Sequence, residues 1–464
     1  MQADTNAYAD FIASKRREVG SVGFDPMPMT DGLFAHQIAI IGWGVRLGRC
    51  AVFADTGLGK TRIQLEWASQ VCRHSAGRVV ILTPLAVAQQ TIAESAVMGI
   101  DAGPLGSGCP VVVTNYDKRH RVDPDEYAGV VLDESSILKA FDGRTRTELI
   151  DMFSTTPYRM AATATPAPND HSELGNHAEF LGICTRTEML AEYFVHDGGS
   201  TQNWRVKRHA VGDFWRWVAT WGVLVRQPAD LGIDDNRYDL PPLNIRQEMV
   251  EVDHASAHDS GNLFIQSALT LNDQRRARRS TMVARCRRIA DIAASSDEPL
   301  LVWVELNDES TMVRKMIPDA VEVTGSDSPE DKARRLLGFA RGDGRVLVTK
   351  PKIAGFGLNW QHCRRMVFAG PTHSYEQFYQ AVRRCWRFGQ TEPVEVIVIT
   401  TAADGAITAN MKRKAEAADE MASEMLSLVR ETQLASVMGV RPGTVEPNNT
   451  KTIIPQWLRT RSES

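Results

Sequence analysis

Two series of short apolar runs, each broken by helix-like stretches, limit what this chain can fold into. The first lies between residue 50 and about 170 and reads C-A-V-F-A-D, R-V-V-I-L-T-P, V-V-V-T-N-Y, G-V-V-L-D and Y-R-M-A-A-T. The second ends near residue 400 and reads P-L-L-V-W-V-E, A-V-E-V-T-G, R-V-L-V-T-K, R-R-M-V-F-A-G and V-E-V-I-V-I-T. Strands that are apolar on both faces and alternate with helices belong to parallel sheets covered on each side. The pattern predicts an α/β chain, and its 464 residues suffice for two large lobes or three smaller domains.

Between the two series, residues 171 to 250 carry Trp-rich helical stretches and a strand punctuated by Pro-Pro. Residues 255–297 read as a basic helical connection, and 404–433 as a charged amphipathic helix followed by a polar tail. The expected division is an N-terminal extension over 1–32 and a first lobe over 33–250 with a helical insertion at about 171–235. A second lobe over 251–403 includes the connection, and a C-terminal helix with a loose tail fills 404–464. In the tail, I-I-P-Q-W-L (453 to 458) reads as a frayed terminus or a docking peptide.

At 43% hydrophobic and 24% charged residues, with no apolar run of bilayer length, the composition is that of a globular protein. The first residues lack the continuous apolar core of a signal peptide, so a cytoplasmic location is expected. The seven cysteines stand singly without a C-x-x-C pair, which points to buried thiols rather than a zinc site. A net charge of -4 neither favours nor opposes nucleic acid, because phosphate binding depends on local patches.

The stretch A-D-T-G-L-G-K-T (54 to 61) has the form of a phosphate-binding loop between a strand and a helix. Asp55, Thr56, Gly57, Leu58 and Gly59 make the turn, Lys60 supplies the phosphate-binding cation and Thr61 the hydroxyl for Mg²⁺. Ala54 stands where the first glycine of such loops is expected. Downstream, G-V-V-L ends in Asp133-Glu134, suited to holding Mg²⁺ and polarising a water respectively.

These residues carry a resemblance. A-D-T-G-L-G-K-T and D-E-S-S resemble motifs I and II of superfamily 2 helicase-like ATPases, in which alanine at the first loop position is common. In the same order, Gln37 in L-F-A-H-Q resembles the adenine-contacting glutamine, L-T-P (82 to 84) motif Ia, V-T-N-Y (113 to 116) the next motif, and A-T-A-T-P (162 to 166) motif III. V-L-V-T-K-P-K-I-A-G-F-G-L-N-W (346 to 360) and Q-A-V-R-R-C-W-R-F-G-Q (380 to 390) are similar to motifs V and VI of the Swi/Snf-type branch. V-R-Q-P-A-D-L-G-I-D-D-N-R-Y-D-L-P-P-L (225 to 243) resembles that branch's lead into its second lobe. The resemblance spans about residues 33 to 400, and compact bacteriophage proteins of the branch are the nearest in form.

It implies two RecA-like lobes, parallel sheets flanked by helices, with a helical insertion between them. ATP and Mg²⁺ would lie in the cleft, with Thr61 and Asp133 at the metal. Lys60, Asp133 and Glu134 would line one wall, and Gln380, Arg384 and Arg387 the other, with Gly357 of motif V also at the nucleotide. Nucleic acid would cross both lobes at Thr83, Pro84, Thr114, Asn115, Thr163, Thr165, Lys350 and Lys352. The chain departs from the branch at Arg383, where an acid is usual, at Trp386, where histidine is usual, and at Lys350-Pro351-Lys352.

The resemblance implies an ATP-dependent translocase on double-stranded DNA. A strand-separating DNA or RNA helicase, and a branched-DNA scaffold with a vestigial ATPase, are the alternatives. A restriction-system motor would need a nuclease partner. On a helix, Arg275, Arg278, Arg279 and Arg285 fall near one side, as a phosphate-binding stripe or a solvated face. Trp204, Trp215, Trp217 and Trp221 are expected in the core rather than stacked on bases.

Overall fold

The computed structural model describes residues 22–437 except 86, 140–142, 168–169, 197–203, 252–277, 355–358 and 373. The first lobe is built on β1 (Arg49–Ala54), β2 (Arg78–Thr83), β3 (Ala102–Pro104), β4 (Val111–Asn115), β5 (Tyr127–Asp133) and β6 (Tyr158–Thr163). A small antiparallel ribbon, β7 (Phe194–His196) with β8 (Trp204–Val206), stands apart, and β9 (Gly222–Val225) rejoins the sheet. The resulting seven-stranded parallel sheet runs β3-β4-β2-β5-β6-β1-β9. Alternation along each strand fills both faces: Cys50, Val52 and Ala54 enter one core, Ala51 and Phe53 the other.

The second lobe carries β10 (Leu243–Met249), β11 (Leu300–Trp303), β12 (Val321–Glu322), β13 (Val346–Thr349), β14 (Arg365–Phe368) and β15 (Val394–Thr400), in the parallel order β10-β15-β14-β11-β13-β12. Leu301, Trp303, Met366 and Phe368 pack beneath one face, and Leu300, Val302, Val367 and Ile399 beneath the other. Both lobes are thus parallel sheets flanked by helices, the RecA-like arrangement. Among the described residues no helix is long and apolar enough to cross a membrane.

Two boundaries differ from expectation. The segment expected as a helical insertion between the lobes contains β9, which pairs with β1, and its Phe214, Trp215, Val218 and Trp221 complete the first core. Trp204 and Trp217 pack on the margin of that core. Strand β10, assigned by sequence to the first lobe, pairs with β15 over its whole length and is an edge strand of the second.

Two arginines of the expected stripe, Arg278 and Arg285, are internal. Arg285 is 1% exposed and donates to the carbonyls of Ala369 and Ile399 at 3.2 and 2.9 Å. It shares the buried face of the helix Met282–Ala294 with Ile289 and Ile292, so the spacing that aligned the arginines also turned this one inward. Arg278 pairs with Glu309 at 2.5 Å, whereas Arg279 is exposed and Arg275 lies outside the described residues.

Finally, the helix Gly405–Val437 leaves the second lobe and packs on the first. At its end, the Gln433 amide donates to Leu224 O at 2.8 Å and accepts from Leu224 N at 3.2 Å, and Trp43 donates to Ser436 Oγ at 2.9 Å. The end of the N-terminal extension is likewise pinned, with Met27 N and O bonded to Gln70. Residues 438–464 of the expected loose tail, including 453 to 458, lie outside the described residues.

Candidate nucleotide site between the lobes

Parallel sheets bind ligands beyond the carboxyl ends of their strands, and the candidate site forms there. Strand β1 ends at Ala54, fully buried, so the position lacking a glycine is a strand residue with no need of one. The turn begins after it. Gly57 and Gly59 have φ of +99° and +77°, the left-handed region that side-chained residues resist. They swing the chain into the helix Lys60–Ser75, whose first N–H groups have no intrahelical partner and suit an anion. Lys60 Nζ donates to Ala54 O at 2.7 Å and Asp55 O at 3.3 Å.

Strand β5 delivers the carboxylates. Asp133 Oδ1 accepts from Gln64 on the helix after the loop at 2.7 Å, and Tyr116 OH donates to Asp133 O at 2.7 Å. Glu134 follows with a φ of +58°, a conformation that costs a non-glycine residue about 1–3 kcal/mol. Thr163 Oγ1 at 2.7 Å and Ser136 Oγ at 3.0 Å hold its Oε1. Burial raises the pKa of both carboxyls, with Lys60 opposing, and lowers that of Lys60 itself.

The facing wall comes from the second lobe. Arg384 and Arg387 line the same cleft as Thr56, Gly57, Lys60, Thr61, Asp133 and Glu134. Burial lowers Arg384 to about 10; burial, with Arg384 and Arg383 nearby, lowers Arg387 to about 9. The helix before them, Tyr375–Val382, docks on the first lobe: Glu376 takes Lys139 at 2.5 Å, and Tyr379 OH donates to Asp55 Oδ1 at 2.5 Å.

Residues 284–389, which contain this wall, match the helicase conserved C-terminal domain. The match covers β11 to β14 of the second lobe together with Arg384 and Arg387, and stops before β15. The lobe that carries this match faces the glycine turn of the first lobe across the cleft. No curated protein matches the sequence. Among solved structures, the chain is similar to the SWI2/SNF2 ATPase core of Sulfolobus solfataricus, there in complex with double-stranded DNA. That similarity has 16% identity and a TM-score of 0.41 over 89% of this chain and 98% of the other.

The cleft between the two lobes is open on one side and lined by Thr56, Lys60, Asp133, Glu134, Arg384 and Arg387. Three crowded cations and two buried carboxylates fit a nucleoside triphosphate with a divalent ion. The Thr61 hydroxyl and the Asp133 carboxylate are the hard oxygen donors that Mg²⁺ prefers. Gln380 Nε2, also expected here, is buried without a hydrogen-bond partner, while Gly357 lies outside the described residues.

Several expected contacts are otherwise employed. Gln37, 1% exposed, donates to Leu58 O at 3.1 Å and accepts from Phe34 N at 2.9 Å, so it braces the loop from behind instead of facing a base. Asp55 is taken up by Arg383 and Tyr379 of the helicase lobe. Thr83, Thr114, Asn115 and Thr163 are buried. Thr163 holds Glu134, and Asn115 caps the next turn through Lys118 N at 3.1 Å. Pro84 and Thr165 are half-buried, Lys350 donates to Asn307 Oδ1 at 2.6 Å, and Lys352 is exposed.

The sequence reading missed an aromatic wall at the mouth of the loop. Phe388 lies 4.6 Å from Tyr238 and 5.8 Å from Phe34, ring centre to ring centre, and Arg237 stacks on Phe34 at 4.4 Å. Phe388 is the residue against which the loop closes, since a Cβ at Gly57 would lie 3.1 Å from its backbone N. Only its place inside motif VI could have signalled this.

Proposed function

We propose that the protein is a nucleic-acid-dependent ATPase that uses hydrolysis to move along double-stranded DNA. The observation that carries the proposal is the convergence of Lys60, Thr61, Asp133 and Glu134 from one lobe with Arg384 and Arg387 from the other on one cleft. The helix N-terminus at Lys60 and the loop N–H groups receive the phosphates of ATP, and Lys60 exchanges Ala54 O for them. Glu134, fixed by Thr163, orients the attacking water and takes its proton. Thr61 and Asp133 would hold Mg²⁺, which would supply neutralising charge at the phosphates. Arg384 and Arg387 stabilise the transferring phosphoryl group, a contribution on the order of 10³-fold or more in rate.

Both walls grip the same phosphoryl group, so its loss removes their common ligand and favours separation of the lobes. A strand held differently in the two states is thereby moved. The Swi/Snf-type character of motifs V and VI supports duplex DNA as the track. Phosphate contacts that impose no sequence preference are assigned to Lys350 and Lys352 on the helicase lobe. On the first lobe they fall to Lys118 and Arg121, exposed in the turn Tyr116–Arg121 beyond β4, with Pro84 and Thr165 at the rim.

The test is steady-state ATP hydrolysis by the wild type and Lys60→Ala with no nucleic acid, duplex DNA, single-stranded DNA and RNA in turn. Strong stimulation by duplex, absent from the variant, is the expected result. Stimulation by single strands or RNA alone replaces the translocase with a strand-separating helicase, and no hydrolysis under any condition leaves the scaffold reading.

A further inference from the structure

The two side chains by which motif VI departs from its relatives touch one another, and together they reach from the phosphate loop to the linker between the lobes. The Arg383 guanidinium lies 4.5 Å from the Trp386 ring centre, and Trp386 Nε1 donates to Pro241 O at 2.7 Å. On its other side Arg383 pairs with Asp55 Oδ2 and donates to Tyr379 OH at 3.2 and 3.3 Å. The remaining Asp55 oxygen accepts from Tyr379 OH at 2.5 Å and from Thr56 N at 2.6 Å. One carboxylate thus fixes the start of the phosphate loop and the helicase lobe at once. Both members of the ion pair have side chains 8% exposed.

The placement on the helix gives this pair its consequence. Glu376, Tyr379 and Arg383 recur at intervals of three and four residues, which sets them on one face. Glu376 bonds Lys139, and Tyr379 and Arg383 bond Asp55, so the first lobe holds that face at two points. Sliding or rolling the helix would strand the buried charges of Arg383, Asp55 and Glu376. Arg384 is the next residue, and Arg387 lies one turn further on.

We propose that Arg383 is a positioning residue: by docking motif VI on Asp55 of the phosphate loop, it aims Arg384 and Arg387 into the cleft. Tyr379 completes the dock and Trp386 stiffens it against the linker. Arg383 itself reaches the loop and not the reacting phosphate. The inference rests on the ATPase reading above and deepens it.

The experiment compares the wild type with Arg383→Gln, Asp55→Asn, the double variant, Arg383→Lys and Tyr379→Phe. Turnover is measured under the most stimulating nucleic acid, and affinity by equilibrium titration with a fluorescent ATP analogue. Wild-type hydrolysis is established first, and its absence refutes the ATPase reading together with this inference. Given an active wild type, Arg383→Gln is expected to lower kcat about 10- to 100-fold, the scale of an ångström-sized misplacement, with nucleotide affinity held within about threefold. Arg383→Lys should retain more turnover than Arg383→Gln. The double variant should lose no more than the worse single one, because the partners act as a unit.

Tyr379→Phe removes only a hydroxyl and carries the test should Arg383→Gln fail to unfold cooperatively. It should lower kcat several-fold without a change in affinity. Turnover within about threefold of wild type in Arg383→Gln, or losses that multiply in the double variant, would overturn the inference while leaving the ATPase reading intact.

Discussion

Replacing Gln433 by methionine tests how the C-terminal helix is held to the first lobe. The Gln433 side chain is buried, with its residue 2% exposed, and its amide satisfies both backbone groups of Leu224 on β9. Strand β9 is the edge of the seven-stranded sheet, so the amide stands where a further strand would otherwise pair. Methionine keeps the length of the side chain and removes both polar atoms. Two hydrogen bonds contribute about 1 kcal/mol each, and a stranded N–H or C=O adds about 1–3 kcal/mol where water cannot reach it. The expected destabilisation is about 2–4 kcal/mol.

Urea unfolding followed by tryptophan emission reads this loss directly, because Trp215 and Trp221 lie in the core beside β9. The midpoint should fall with the slope unchanged, and hydrogen exchange at the Leu224 amide should accelerate by the equivalent factor. A loss below about 0.5 kcal/mol with unaltered exchange at Leu224 would refute the role given to the amide.

Two further outcomes are expected. Glu134→Gln should lower kcat by about 10²- to 10⁴-fold with nucleotide affinity retained, measured by hydrolysis and titration in parallel; equal losses in both would contradict its role at the water. Burial lowers His177 from 6.5 to about 4, so the folded chain keeps it neutral while the unfolded chain takes up a proton. Its contribution is complete above about pH 6.5 and is lost as pH falls toward 4, about 3 kcal/mol across that window. His177→Gln should flatten the acid side of the stability profile, and an unaltered slope there would count against this assignment.

The glycine turn after β1 and the Asp133-Glu134 pair were legible in the sequence because short-range geometry dictates both: a turn needing two left-handed glycines, and carboxylates at a strand end. The apolar runs of the strands were legible for the same local reason. Pairing partners were not. Nothing in L-N-I-R-Q-E-M states that β10 joins β15 instead of the lobe that precedes it, and β9 spans only four residues after a helical stretch. Motif threonines also looked available to a ligand, since sequence reports residue type without depth; Thr83 and Thr163 prove fully buried. Arg383 was noticed as a departure, yet its compensation lies 328 residues away at Asp55 and only the fold brings the two together.

The return of the final helix to β9 has a consequence for how the chain is made. Leu224 and Gln433 are separated by 209 residues, so a ribosome working at about 5–20 residues per second exposes the open edge of the first sheet for roughly 10–40 s before its cap is synthesised. During that interval G-V-L-V presents unpaired backbone groups beside an apolar core, the kind of template on which nascent chains associate. Expression yield should therefore respond to translation speed over residues 226–433 and to chaperone supply.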